Sequence, residues 1–243
     1  MRYAYSLLRT CMTHGSQLRT TRRSLSTVTA SGPTTPSEHF IFHPDFFSER
    51  EQKILLSASL EKLDAVESRD FRRRRKEYRS KHSAQGDLVA LRLEDIFLPD
   101  EYYCFEEGHY DGVIRNYREM HVSSWPEGYP ELPGILARLD PLHPDEPTQS
   151  HIIHLASDGE ILPHVDNTEA SGSWILGVSL GSTRLLRLES VEDASDVHDI
   201  LVPSGSVYLQ RDSIRYGYKH SILKDYSKFS YGQRLSIMLR DCR

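Results

Sequence analysis

The 243-residue sequence is short of cysteine, of long apolar runs and, over its first part, of negative charge. Its three cysteines, Cys11, Cys104 and Cys242, are odd in number and far apart. That spacing supports neither a disulfide framework nor a zinc motif, and is consistent with a reducing compartment. No apolar run approaches the ~18 residues that a membrane helix needs, so no transmembrane segment is expected. No internal repeat is visible.

No acidic residue precedes Glu38, whereas Met1 to Ala30 carries Arg2, Arg9, Arg19, Arg22 and Arg23 among many Ser and Thr. This is the composition of a mitochondrial transit peptide, and a disordered basic tail would share it. Arg23-Ser24-Leu25-Ser26 matches the arginine-plus-small-residue pattern near which such peptides are cleaved. Residues 31–39, with Ser31-Gly32-Pro33-Thr34-Thr35-Pro36, read as a flexible linker, and residues 40–243 as one domain whose core lies in 150–243. The expected location is the mitochondrion, in the matrix. Without the first thirty residues, 25 basic side chains face 35 acidic ones, and the formal charge moves from −5 to −10. So acidic a chain is not a general nucleic-acid binder, and DNA is not an expected partner.

Ser48 followed by Glu51 is a capping-box pattern, and Ile54, Leu55, Leu60 and Leu63 supply one face of a helix ending near Leu63. Phe71 to Lys76 holds the one dense basic run after residue 30; such a run serves as a solvated surface strip or as a contact for phosphate, lipid or an acidic partner. Leu88 to Leu93 reads as a strand, Glu101 to Trp125 shows no clear period, and Pro130 to Leu139 allows a short helix. After Ser150 the texture changes to short apolar strands at Ile152–Leu155, Ile161–His164, Trp174–Leu180, Arg184–Leu188, Ile200–Val202, Ser206–Leu209 and Leu235–Leu239. Glu192–Asp196 and Pro203–Gly205 resemble hairpin connections, and the spacing predicts a sandwich or barrel.

In Leu162-Pro163-His164-Val165-Asp166, a histidine and a carboxylate two apart on an extended strand reach the same face. With His220 they make a 2-His-1-carboxylate set, which holds non-haem Fe(II) and leaves coordination positions open. Given 12 histidines, chance alone yields roughly one His-x-Asp tripeptide, so the motif is weak by itself. His43-Pro44-Asp45 and His143-Pro144-Asp145 repeat it, but a proline between the ligands argues against a ladder strand. The second of these has a distant His198 and Arg211 as further members, without a strand to fix the pair. The set with His164 is followed by Arg234-Leu235-Ser236-Ile237-Met238-Leu239-Arg240, whose alternation puts Arg234, Ser236, Met238 and Arg240 on one face. Two arginines on an inner face need a reason, since unpaired buried charge is costly; otherwise they flank an edge strand with their heads in water. A short dicarboxylate such as 2-oxoglutarate supplies the reason, one end on iron and the other on arginine.

These residues resemble the AlkB-like Fe(II)/2-oxoglutarate dioxygenases, most closely the mitochondrial branch of that family. The match includes Pro163-His164-Val165-Asp166, His220-Ser221-Ile222-Leu223-Lys224-Asp225 and the Arg-x5-Arg strand. It extends to Arg72–Arg75 with Glu77-Tyr78, Gly205-Ser206-Val207-Tyr208-Leu209, Ser213-Ile214-Arg215-Tyr216 and Gly232-Gln233-Arg234. By carry-over, His164, Asp166 and His220 bind Fe(II), while Tyr208, Arg234 and Arg240 bind 2-oxoglutarate, the tyrosine through its hydroxyl; O2 is the other cosubstrate. The fold implied is an α+β, mainly β, double-stranded β-helix or jelly roll with N-terminal helices packed against one sheet. The resemblance implies an oxidoreductase with a role in mitochondrial metabolism and regulated cell death, acting on a protein or other non-nucleic target. Demethylation of a methylated mitochondrial RNA is its alternative. Two departures bear on substrate: an Asn-x-Tyr expected ahead of the iron motif is replaced by Ile153 and Leu155, and no hairpin reads as a nucleotide-gripping lid. A regulatory module that keeps the iron site, or a metal-binding cupin of hydrolase or isomerase type, are the readings from other classes.

Overall fold

The structure, a computed structural model, describes residues 38–82, 91–167, 172–223 and 232–241. The transit-peptide segment, most of the linker and Leu88–Ala90 lie outside the described residues. Strand β1 (Phe40–His43) leads into helices α1 (Glu49–Val66) and α2 (Arg69–His82). A hairpin, β2 (Glu106–Gly108) and β3 (Ile114–Val122), and a short helix α3 (Leu132–Leu136) follow. The remaining strands are β4 (Thr148–His164), β5 (Trp174–Gly181), β6 (Arg184–Ser190), β7 (Val197–Val202), β8 (Ser206–Arg211), β9 (Tyr218–Leu223) and β10 (Arg234–Asp241), with α4 (Asp212–Gly217) between β8 and β9.

Strand order β1-β8-β5-β10-β4-β9-β6-β7, with β3 also on β4, curls into two facing sheets. β4 belongs to both: its first half pairs with β10 and β3, and its end pairs with β9 at Ile161↔Ile222 and His164↔His220. The chain bends where Arg184 donates to the carbonyls of Ala156 and Ser157. There Gly159 packs so closely that a Cβ would lie 2.5 Å from the Asn116 oxygen, and Asn116 takes a positive φ of 48° at the matching bulge in β3. The expected separate strands Ile152–Leu155 and Ile161–His164 are therefore one bent strand. The jelly roll of mainly β class is as expected.

Alternation sorts the core into two layers. Leu235 and Ile237 face the helices with Leu55, Leu56, Leu60 and Leu63 of α1. Ile153, Leu155, Ile161, Leu186, Leu188 and Tyr208 fill the space between the two sheets, with Met238 packed against them. Helix α1 starts on the predicted capping box, Ser48 with Glu51, and runs one turn past Leu63 because Asp64 and Glu67 are held by arginines of neighbouring elements.

Other expectations need correction. Leu91 and Arg92 belong to no strand, and Leu93–Ile96 is a 3-10 turn tied by Arg92 to Asp95. The basic run is part of α2 and is not wholly a solvated strip: Arg75 is 2% exposed and bonds Asp64, Glu67 and the Tyr102 carbonyl. Pro203–Gly205 is no hairpin, since β7 and β8 are not paired and stand far apart in the strand order; Gly205, at φ 80°, accepts from the Phe46 and Phe47 amides through its carbonyl and so guides the crossing.

Candidate metal centre

Paired antiparallel at the end of β4, His164 and His220 lie directly opposite each other, with ring centroids 4.3 Å apart. Asp166 follows two residues after His164, and its Oδ1 lies 2.9 Å from His164 Nε2 and 3.6 Å from His220 Nε2. One ligand atom from each of the three lies within 4.8 Å of the others, the one such cluster among the described residues. The Leu162 carbonyl, 2.9 Å from His164 Nδ1, orients that ring and leaves Nε2 toward the shared point. A residue the sequence did not single out, Arg215, is 1% exposed and donates to the Asp166 carbonyl at 3.3 Å.

The electrostatics suit a cation. Burial raises the Asp166 carboxyl, but His220, His164 and Arg215 outweigh it and hold the group well below the usual carboxylate range. Burial pushes His220 down to about 4, so it stays neutral. Burial also lowers His164, but the bond and charge of Asp166 outweigh it and raise its affinity for a proton. A metal ion can replace that one proton between two imidazoles and a carboxylate, which is the donor set of non-haem Fe(II).

Strand β10 is central, between β4 and β5, so the alternative of an edge strand with arginine heads in water does not hold. Arg234 is 1% exposed between the sheets, where its Nε donates to Ser179 Oγ at 3.0 Å. Its Nη2 is buried without a hydrogen-bond partner. Beside it sits the buried Tyr208 hydroxyl, 3.8 Å from Met238 Sδ. Burial lowers the Arg234 guanidinium and raises the Tyr208 phenol, and the two interact electrostatically. A buried cation with an unused donor beside a phenol fits an anion such as a carboxylate. Arg240, half-buried at the other end of the strand, also keeps a buried Nε without a partner. The cross-strand pairs Leu155↔Arg234 and Ile153↔Ser236 set both aliphatic residues beside Arg234 and Ser236. His154 points the other way, into a polar cluster behind the sheet: its Nδ1 accepts from Arg118 Nε and its Nε2 pairs with Gln233 Oε1, both at 2.9 Å.

The two rival tripeptides make no such cluster. His43 closes β1, and His143 stacks on Trp174 at 4.6 Å. A further tripeptide of the same spacing, His109-Tyr110-Asp111, lies outside the sequence-based candidates. It forms the tip of the β2–β3 hairpin, and Asp111 contributes to the electrostatic environment of His164. Its spacing was visible in the sequence; its place beside the metal centre depends on the pairing of β3 with β4.

A family model described as the 2OG-Fe(II) oxygenase superfamily matches residues 39–240. The alpha-ketoglutarate-dependent dioxygenase alkB homolog 7, mitochondrial, of Bos taurus is 33% identical over 168 residues, covering 65% of this chain and 73% of the relative. The protein of the same name from Mus musculus is 31% identical over 144 residues, covering 56% of this chain and 65% of the relative. In fold, the solved structure of OsALKBH1 is similar, with a TM-score of 0.50 at 15% identity, covering 84% of this chain and 98% of that one. The superfamily's cofactors are Fe(II), 2-oxoglutarate and O2, which the donor set and the buried arginine both fit. The chain belongs to the 2OG-Fe(II) oxygenase superfamily, as an AlkB-like dioxygenase related to alkB homolog 7.

Proposed function

We propose that the chain works in mitochondria as a hydroxylase of a protein or other non-nucleic target, with His164, Asp166 and His220 as the Fe(II) ligands. Tyr208 and Arg234 take the far carboxylate of 2-oxoglutarate, and Arg240 sits by its 2-oxo acid end. Bound iron with 2-oxoglutarate and O2 supplies the oxidant for hydroxylation, and the cosubstrate leaves as succinate and CO2. What this chain contributes is position. Leu162 fixes the His164 ring, Arg215 holds the backbone at Asp166, and Ser179 and Ser236 aim the Arg234 fork. The apolar packing of Ile153, Leu155 and Ile161 excludes water below the metal.

The observation that carries this reading is the pairing of a gathered His-Asp-His set with a buried arginine whose spare donor has no partner. A non-nucleic target is favoured because the basic run belongs to α2, whose Arg74 and Arg75 contact Glu101 and Tyr102 on the helix side of the sheet. On β3 the helix side carries Arg118, and the opposite side carries Glu119, which contacts His109 and His151. The mitochondrial setting rests on the printed names of the relatives and on the arginine-rich first thirty residues. A role in mitochondrial metabolism and regulated cell death, in the matrix, belongs to the same proposal. Incubating the purified chain with mitochondrial protein extract and, separately, with mitochondrial RNA tests it. Succinate formation above background and an added oxygen atom by mass spectrometry are expected in the protein fraction. Turnover with RNA alone would reverse the assignment.

A further inference from the structure

The wall of the metal centre's mouth carries an ionisable row that neither iron nor 2-oxoglutarate uses. The turn His109–Val113 is bolted beside the metal: the Leu162 amide donates to the Val113 carbonyl at 2.9 Å, and the Leu162 carbonyl orients His164. Asp111 Oδ1 lies 2.8 Å from His109 Nδ1, and His109 Nε2 lies 3.6 Å from Glu119. The other Glu119 oxygen lies 3.1 Å from His151 Nε2, and His151 stacks flat on His121 at 4.5 Å. Pairing puts this row on the cosubstrate floor, since Glu119 is opposite Ile153, and His151 is opposite Met238. Burial raises the Glu119 carboxyl, yet the neighbouring histidines outweigh it and keep it low, while burial and its cationic neighbours lower His121. The wall therefore carries two carboxylates, Asp111 and Glu119, with the imidazoles of His109 and His151 packed against them.

Tyr110 is 94% exposed at the hairpin tip, its ring 4.0 Å from that of His109. A ring so exposed contributes no core packing. An aromatic face beside a carboxylate is the pairing that binds an ammonium or guanidinium. Two carboxylates at the mouth also repel a phosphate backbone.

We infer that this wall, Tyr110 with Asp111 and Glu119, is the substrate-recognition surface and that it takes a cationic side chain, the ammonium of lysine or the guanidinium of arginine, from a protein. This rests on the proposed iron site for its reacting centre, and it names the substrate class of that site. Glu119, backed by His109 and His151, is the deep acceptor nearest the cosubstrate floor. Asp111 and Tyr110 lie further out, at the tip of the same hairpin.

The test is fluorescence anisotropy at physiological salt on the full chain loaded with Mn(II) and 2-oxoglutarate. The probes are a labelled alternating Lys-Ala dodecapeptide, its Gln-Ala counterpart and a labelled dodecamer RNA. The wild type is expected to bind the lysine peptide at least about tenfold tighter than the glutamine one, the size of one charge-assisted contact. That preference falls to near unity in Asp111→Asn/Glu119→Gln and by a few-fold in Tyr110→Ala, whose exposed ring leaves folding untouched. It stays in Asp145→Asn/Glu146→Gln, which removes equal charge elsewhere. Equal loss in both double variants means general attraction to an acidic protein and overturns the inference. RNA bound tighter than the lysine peptide, weakened by Tyr110→Ala but not by Glu119→Gln, also overturns it in favour of a stacked base. The same titrations on His164→Ala separate the two readings. Metal binding unchanged with the peptide preference intact discards the ligand assignment and keeps the wall. Metal binding that depends on His164, with no peptide preference, discards the wall alone.

Discussion

Gly177 in β5 lies opposite Tyr208 and Met238, next to the hydroxyl proposed to hold the cosubstrate. A methyl group added there would lie 2.3 Å from Tyr208 Cζ and 2.5 Å from its hydroxyl oxygen. Ordinary carbon contacts are ~3.5–4.0 Å, so the Tyr208 ring in Gly177→Ala has to move by more than ~1 Å. Phe40 stacks against that ring with centroids 6.4 Å apart, which limits where it can go. Overpacking of this kind costs about 1–3 kcal/mol of stability. Moving the hydroxyl away from a bound carboxylate costs about 1.5–3 kcal/mol, or about 10- to 150-fold in 2-oxoglutarate affinity. Metal affinity is expected to hold, because His164, Asp166 and His220 come from β4, β9 and the loop after β4. Calorimetric titration of 2-oxoglutarate into the Mn(II)-loaded chain measures this. Tyr208→Phe should show the same loss, and adding Gly177→Ala to it should cost little more. Full cosubstrate affinity in Gly177→Ala, or additive losses in the double variant, would refute the placing of the Tyr208 hydroxyl on the cosubstrate.

Other predictions concern the layer behind the sheet. Arg75→Ala leaves Asp64 and Glu67 bridged by Arg118 alone, and should cost about 1.5–3 kcal/mol by urea denaturation, the size of lost hydrogen bonds to charged groups. Arg72→Ala, on the exposed side of the same helix, should change stability by less than about 0.5 kcal/mol. His154 is neutral, because burial and then the Arg118 charge hold its affinity for a proton well below the ordinary 6.5. The unfolded chain therefore binds more protons than the folded one below pH 6.5, and the stability this group contributes is complete above that pH and is lost as pH falls through it. The loss reaches about 1.4 kcal/mol per pH unit, read as a falling urea midpoint that His154→Gln flattens.

How much of this was legible in the sequence differs by element. Strand β10 was readable because Arg234, Ser236 and Met238 alternate with Leu235, Ile237 and Leu239, and that period survives in the two core layers. The capping box of α1 needed only Ser48 and Glu51. Helix α2 was opaque: its consecutive cations offer no apolar face, and what holds it is Arg75 reaching carboxylates on α1. β4 looked like two strands because Ser157-Asp158-Gly159 has turn composition, and only the bulge at Asn116 and the Arg184 clamp show why the chain bends without ending the strand. The tripeptide His164-Val165-Asp166 gained weight from residues far along the chain, and so did His109-Tyr110-Asp111, whose partner Glu119 lies across the turn of the hairpin.

The most direct test is oxygen-dependent conversion of 2-oxoglutarate to succinate by the purified chain with Fe(II) and mitochondrial protein extract, beside His164→Ala and His220→Ala. The wild type is predicted to form succinate with O2 consumed in step, and each histidine variant to fall to the level without iron. Turnover in either variant equal to the wild type, or none in the wild type above those variants with any extract fraction, would contradict the account.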